Sequence, residues 1–149
     1  MKLEHLFDGE LRYEESNHTA TAPYGDGRWF GYTPAHGSVH GRLEGTVRCH
    51  NLYEQQVAGP ELFRPVYRGA IDTIDGGLIL FQAEGLNRFV DDTHGVAVMS
   101  MTFRSSDERY RWLNEVVAVV EALCFAVVDR PDTERWELRA FECLNELAY

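Results

Sequence analysis

The sequence predicts a mainly β protein: an antiparallel β-barrel of about seven or eight strands, lipocalin- or calycin-like in outline, with one short helix near residues 105–113. Three observations point there. Short segments alternating apolar with polar residues recur along the chain, separated by Gly, Pro and Asp, and a period of two belongs to half-buried strands. An Asp75-Gly76 pair stands between two β-rich runs, a strong hairpin signal. No linker, repeat or low-complexity tract divides the 149 residues, so residues 1–149 are read as one barrel domain.

The elements follow in chain order. LEHLFDGELRYEE opens as one or two strands, with Leu3, His5 and Phe7 alternating against Glu4, Leu6 and Asp8. GDGRWFGYTPAHGSVHG is rich in glycine and aromatics, as strand edges and bends are. RLEGTVRCHN puts Leu43, Gly45, Val47 and Cys49 on one face and Glu44, Thr46, Arg48 and His50 on the other. YRGAIDTIDGGLILFQAEG reads as a hairpin whose Asp75-Gly76 turn is of type I′, and GVAVMSMTF as a largely buried strand. SSDERYRWLN is the helix: Ser105 caps it, Glu108 completes a capping box, and Asp107 meets the positive end of the dipole. In EVVAVVEALCFAVV (115–128) length favours helix and six Val favour buried strand; the strand reading is preferred. RWELRAFECL closes the chain with Trp136, Leu138 and Ala140 on one face.

Charge narrows the function classes. The formal net charge is −10, and the basic residues are thirteen Arg and Lys2. Polyanion and anionic-membrane partners need clustered cations, so neither nucleic acid nor a membrane is expected. Lys2, Glu4 and His5 leave no apolar signal core, and Val116–Val128 is too short to span a bilayer. Cysteines 49, 124 and 143 form neither a CxxC nor a disulfide framework; they read as core residues in a cytoplasmic protein. Phosphate-cradling glycine motifs are missing, and no cofactor is expected. His36 and His40 are four apart in a Gly- and Pro-rich strand, about 13 Å by strand geometry, so no metal site is expected either.

Three stretches, GSVHGRLEGTVRCHN (37–51), GAIDTIDGGLI (69–79) and TFRSSDERYRWLN (102–114), together resemble the domain-of-unknown-function family three-two-three-seven over roughly residues 31–144. The most specific pieces are G-x-I-x-T-x-D-G at 69–76 and R-Y-x-W-L-N at 109–114. The resemblance implies a lipocalin-like barrel and leaves the biochemical role largely unassigned. The connection LYEQQVAGPEL (52–62) departs from the family by lacking an Asp-Gly turn, and the 115–128 run is longer and more apolar.

The candidate chemistry depends on which way strand faces turn. If the Arg48/His50 face lines the lumen, His50 is an acid or base and Arg48 binds developing negative charge. If it faces solvent, both are surface residues. Asp72, on a face with Arg68 and Ala70, pairs with an Arg, orients His50 or is itself the general base. Tyr110 is an auxiliary donor or part of a plug. Trp29, Tyr32, His40, Tyr67 and Trp112 are the expected ligand-binding residues, with core packing as the alternative for the aromatics. Two functions remain. One is a cofactor-independent enzyme of isomerase, lyase or cyclase type working on a small apolar or weakly anionic molecule, a secondary metabolite among the candidates. The other is a barrel that binds such a molecule without changing it. A third reading is an oligomerising structural domain, in which strand edges and the 115–128 segment make a subunit interface; a homodimer is allowed for.

Overall fold

The structure is a computed structural model and describes residues 1–14, 17–59, 61–127 and 130–147, with the side chains of 126, 127 and 130–133 left aside. Ten strands form one antiparallel sheet: β1 (Lys2–Tyr13), β2 (Thr19–Ala20), β3 (Arg28–Gly41), β4 (Gly45–Gln56), β5 (Leu62–Arg64), β6 (Val66–Thr73), β7 (Leu78–Phe89), β8 (His94–Arg104), β9 (Val117–Val127) and β10 (Arg130–Leu144). Eight of them close the barrel in the order β1–β3–β4–β6–β7–β8–β9–β10 and back to β1. The short β2 and β5 extend it at the end where β1 finishes at Tyr13.

Closure sorts side chains by parity, since successive residues of a strand point to opposite faces. Val39 of β3, Val47 of β4, Tyr67 and Ile71 of β6, Met99 and Met101 of β8, Val120 of β9 and Trp136 of β10 all bury inward. The run at 115–128 is strand from Val117 to Val127, as β9, while Glu115 ends the preceding 3-10 turn, Val116 follows it, and residue 128 lies outside the described residues. Its Ala118, Val120, Ala122 and Cys124 face the core, and Val119, Glu121 and Leu123 between them take the outer pleat.

Three local readings are corrected. In β1 the pairing shifts between His5 and Phe7, so Leu6 and Phe7 are both buried rather than alternating. The extra residue of a bulge allows this, and the Leu6 carbonyl accepts from Arg42 N at 2.8 Å. At 73–78 the hairpin exists, but only Gly76 has positive φ, at 88°. A type I′ turn needs two such residues. Here Gly76 N instead donates to Thr73 O at 3.0 Å.

The third correction concerns the helix. Residues 105–113 do not form one; a single 3-10 turn spans Arg111–Glu115, and no side chain caps it. The Ser105 hydroxyl donates to the Leu78 carbonyl at 2.8 Å and accepts from Asp107 N at 3.2 Å, a local turn that no helix follows, and the Asn114 amide brackets Ser105 through both its N–H and its C=O. Glu108 makes only an exposed contact to Arg111 at 3.8 Å. The segment thus folds back across the barrel end and drives Leu113, fully buried, into it.

Strands approach closely where a side chain would obstruct them. At Gly37 a Cβ would lie 1.7 Å from the Glu10 carbonyl oxygen of β1, so the β1–β3 contact requires glycine. Gly37→Ala is therefore expected to cost about 1–3 kcal/mol through overpacking, lowering Tm by roughly 2–9 °C. Thermal unfolding followed by circular dichroism measures it, and an unchanged Tm would contradict the contact.

Candidate functional site

Inside the barrel, the Tyr13 end carries the polar chemistry. Asn51 continues the inward row of β4, and its Oδ1 accepts from Val66 N at 3.0 Å. That contact orients the amide, so Nδ2 donates to Tyr13 Oη at 3.4 Å. Tyr13 Oη is in turn hydrogen-bonded to Tyr67 Oη. Tyr13 Oη accepts from Asn51 and keeps a second lone pair and its own hydrogen, so either phenol can donate within the pair; one phenolic hydrogen is spent between them and the other is left for a further acceptor, that of Tyr67 where Tyr13 donates.

Burial first, and neighbouring negative charge second, hold the Tyr13 phenol well above its ordinary pKa of 10.0. Burial likewise raises Tyr67, against the lowering effect of the Tyr13 hydrogen bond. Both are neutral donors at physiological pH. The Glu134 carboxylate adds to both shifts through its charge, and its Oε1 lies 3.9 Å from the Cys124 thiol. Burial also pushes the Cys49 thiol up to about 12.

Two further polar side chains are buried here without a hydrogen-bond partner among the described residues: both atoms of the Asn87 amide and the Trp136 indole N–H. Unsatisfied buried groups are uncommon and call for a partner such as water or ligand. Both residues adjoin Phe63, Asn87 as its register partner on β7 and Trp136 at 6.2 Å between ring centroids.

The rings are continuous from Trp29 through Tyr53 and Phe63 to Trp136 and Tyr67, at centroid spacings of 5.6, 5.7, 6.2 and 5.7 Å. His18 Nε2 meets Tyr53 Oη at 2.7 Å at the start of that path. Below Tyr67 and Trp136, among Val47, Met99 and Val120, remains a cavity of about 40 Å³ whose exposed lining is apolar. That is room for a water or a small substituent, far less than the ~300–1,000 Å³ of a ligand pocket. The side chains fill most of the lumen.

Parity places the sequence candidates elsewhere in most cases. Arg48 and Asp72 stand on the outer face, the former 67% exposed, joined by a 2.8 Å ion pair. The hydrogen bond from Arg48 lowers the Asp72 pKa, and an exposed pair of this kind contributes little stability. His50 leans against the Tyr32 ring at 5.3 Å on that same outer face, and His40 is exposed. None of these reaches the lumen, because Val47, Cys49 and Asn51 take the inward positions of β4. Tyr67 and Trp29 do belong to the inner aromatic path. Tyr13, Asn51, Asn87 and Glu134 were missed, although Asn51 is the next step of the Leu43–Gly45–Val47–Cys49 alternation and could have been found from it.

Tyr110 and Trp112 serve the opposite, Leu113 end. The Tyr110 hydroxyl donates to Asp75 at 2.7 Å, Thr73 does so at 2.5 Å, and Arg109 bridges Asp75 and Asp107. The Trp112 indole donates to Arg109 O at 3.1 Å beneath the Arg42 guanidinium. The residues that carried the family resemblance thus fasten the 73–78 hairpin to the 3-10 turn. Among the described residues no three His, Cys, Asp or Glu converge on a metal-sized site, and no helix is long and apolar enough to cross a membrane.

Two pH limbs follow. Tyr13 and Tyr67 bind their protons more tightly folded than unfolded, so their contribution is complete below pH 10 and falls as pH rises past it. Ultraviolet titration is expected to show tyrosines that ionise only with alkaline unfolding, whereas ionisation of all tyrosines together near pH 10 would contradict their burial. Asp75 is lowered chiefly by the Thr73 and Tyr110 hydrogen bonds, and Asp107, by Arg109, to about 2. Their contribution is present above pH ~4 and lost as pH falls through the lowered values. Asp75→Asn should flatten that acid limb of Tm against pH.

Solved structures share this architecture. A β-barrel-like protein from Acinetobacter baumannii matches at 21% identity and a TM-score of 0.77, covering 95% of this chain and 94% of that one. A conserved protein of unknown function from Rhodopseudomonas palustris matches at 18% identity and 0.76, covering 96% and 97%. A structure described as an enzyme from Penicillium herquei matches at 22% and 0.58, covering 95% and 94%. No curated protein matches the sequence. A family model described as "Protein of unknown function (DUF3237)" matches residues 1–128.

Proposed function

The chain belongs to the DUF3237 family, and from that premise and the geometry of its lumen we propose a small-molecule barrel that performs acid–base chemistry without a cofactor at the Tyr13 end. The observation that carries the reading is the Asn51–Tyr13–Tyr67 chain, which leaves one of two phenolic hydrogens free near the Trp136 ring, 5.7 Å from Tyr67 between centroids, whose indole N–H has no partner among the described residues. Such a donor in an apolar surround stabilises an oxygen as negative charge develops on it. The reaction class is proton transfer next to a carbonyl, as an isomerase, lyase or cyclase performs it. In it the C–H proton passes to the Glu134 carboxylate, the electron pair moves toward the carbonyl oxygen, and Tyr67 donates its hydrogen bond there.

The ligand is planar and mostly apolar. Its rings pack among Trp29, Tyr53 and Phe63, and only a small substituent enters the 40 Å³ cavity. The structural neighbour described as an enzyme supports catalysis by analogy of fold alone. His50, Arg48 and Asp72 have no part in this chemistry, since they stand outside.

The test uses 2-naphthol, a planar phenol whose oxygen imitates the developing oxyanion. It is expected to quench tryptophan fluorescence on binding, with affinity reduced about tenfold or more in Tyr67→Phe, in line with ~1–3 kcal/mol for a lost buried hydrogen bond. His50→Ala leaves the affinity unchanged. Equal affinity for wild type and Tyr67→Phe, or loss of binding in His50→Ala, overturns the proposal. Native mass spectrometry of freshly purified protein then identifies any natural ligand.

A further inference from the structure

Asn87 takes no part in the Tyr13–Tyr67 hydrogen bonding, yet it is fully buried, and neither its Oδ1 nor its Nδ2 has a hydrogen-bond partner among the described residues. It lies on the inner face of β7, in the alternation that also buries Ile79 and Ala83. Asparagine is disfavoured in strands, and an amide buried with both ends unpaired costs stability. The fold gains nothing from it there.

The neighbouring strands make room for the amide. The register runs Phe63, Asn87, Ala97, Ala122 and Leu138 across β5, β7, β8, β9 and β10, so the wall on the β8 side of Asn87 is built of small residues. Gly95 shares the inner face of β8 with Ala97 and is buried like it. A Cβ at Gly95 would lie 2.9 Å from Asn87 Nδ2 and 3.0 Å from its Oδ1. The amide thus occupies the place that a side chain at 95 would take, with both polar atoms on the inner face. On its other flank stands Phe63, in a strand of three residues, with its ring 5.7 Å from Tyr53 and 6.2 Å from Trp136.

We propose that Asn87 is a recognition group for the ligand, and that the ligand carries a cis amide, as in a lactam or a primary carboxamide. The inference rests on the lumen being the ligand site and adds the class of molecule that it takes. The edge of an asparagine amide sets one N–H donor beside one C=O acceptor, and a group with the reverse pair satisfies both atoms at once. A cis amide does so while staying neutral. A carboxylate would leave Oδ1 facing a second acceptor, a carboxylic acid would first have to take up a proton, and an ester or ketone brings no donor for Oδ1. Phe63 turns aside to admit the amide edge, and the remaining rings of the ligand lie toward Tyr53 and Trp29.

Isothermal titration calorimetry with 2-quinolone and coumarin tests this. The two are flat bicyclic molecules of the same shape, with an N–H in one and a ring oxygen in the other beside the same carbonyl. The wild type is expected to bind 2-quinolone at least tenfold more tightly than coumarin, because coumarin leaves Oδ1 unpaired. Asn87→Leu, which keeps the volume and removes the polar edge, is expected to bring that ratio close to one. Asn87→Ala, which only removes atoms, is expected to do the same and serves where the leucine variant does not fold. Equal affinities in the wild type, the result for an amide satisfied by water, overturn the proposal. So does a wild type that fails to bind 2-quinolone at millimolar concentration, or a ratio preserved in the Asn87 variants. The acid–base reading is judged separately. Tyr67-dependent binding of 2-naphthol without discrimination between the two probes removes only the assignment of Asn87. Discrimination that depends on Asn87, beside 2-naphthol binding indifferent to Tyr67→Phe, removes only the acid–base reading.

Discussion

The alternation of side chains across a closed sheet is the constraint on which the rest of this molecule depends. Eight strands that pair all the way round leave no free edge, and once closed, every residue's side is settled by its parity. A one-residue slip in β4 would carry Arg48 and His50 inward and turn Val47, Cys49 and Asn51 out to water. The inner row prevents that slip, because the apolar positions of β6, β8 and β10 already meet across the lumen. The bulge at His5–Phe7 is the place where β1 steps out of the alternation, and it does so to bury two large side chains at once.

The two barrel ends solve different problems. At the Leu113 end the need is closure, met by a charged and hydrogen-bonded clamp at the surface: Asp75 receives Thr73, Tyr110 and Arg109. Its charges stay in water, where desolvation costs them little. At the Tyr13 end the polar groups are inside, where an unpaired charge would be costly. What is found there is mainly neutral: two phenols, two amides and an indole. The Glu134 carboxylate is the exception, and it is only partly buried.

Much of the fold was legible because it rests on a short-range period. The alternation of RLEGTVRCHN, the valine-rich character of 115–128 and the Trp136–Leu138–Ala140 row are local signals, and β4, β9 and β10 follow them. The helix at 105–113 was misjudged for a reason of the opposite kind. Ser105 and Glu108 have cap spacing, but the Ser105 hydroxyl bonds Leu78, 27 residues away in sequence, and no local rule sees that partner. The site failed in the same manner. Chemical type alone singles out a histidine beside an arginine, whereas nothing local joins Tyr13 to Tyr67, 54 positions apart. The alternation already said that Asn51 follows Cys49 inward; taking parity before residue type would have found it.

Parity also bears on which kind of catalyst such a barrel can be. A histidine–carboxylate relay placed inside would have to bury an imidazolium and a carboxylate together, and the attraction between them often fails to offset their desolvation. A phenol pair avoids that cost. It is uncharged until the reaction places charge on the oxygen it faces, and burial, which raises both phenol pKa values, keeps it so over the whole physiological range. The same burial makes the donor worth more, since a hydrogen bond to a developing oxyanion strengthens as the local dielectric falls. With its carbonyl fixed by the Val66 backbone, Asn51 can offer Tyr13 only a hydrogen, and because the two phenols share one hydrogen bond, one of their two hydrogens stays free for an oxygen in the lumen.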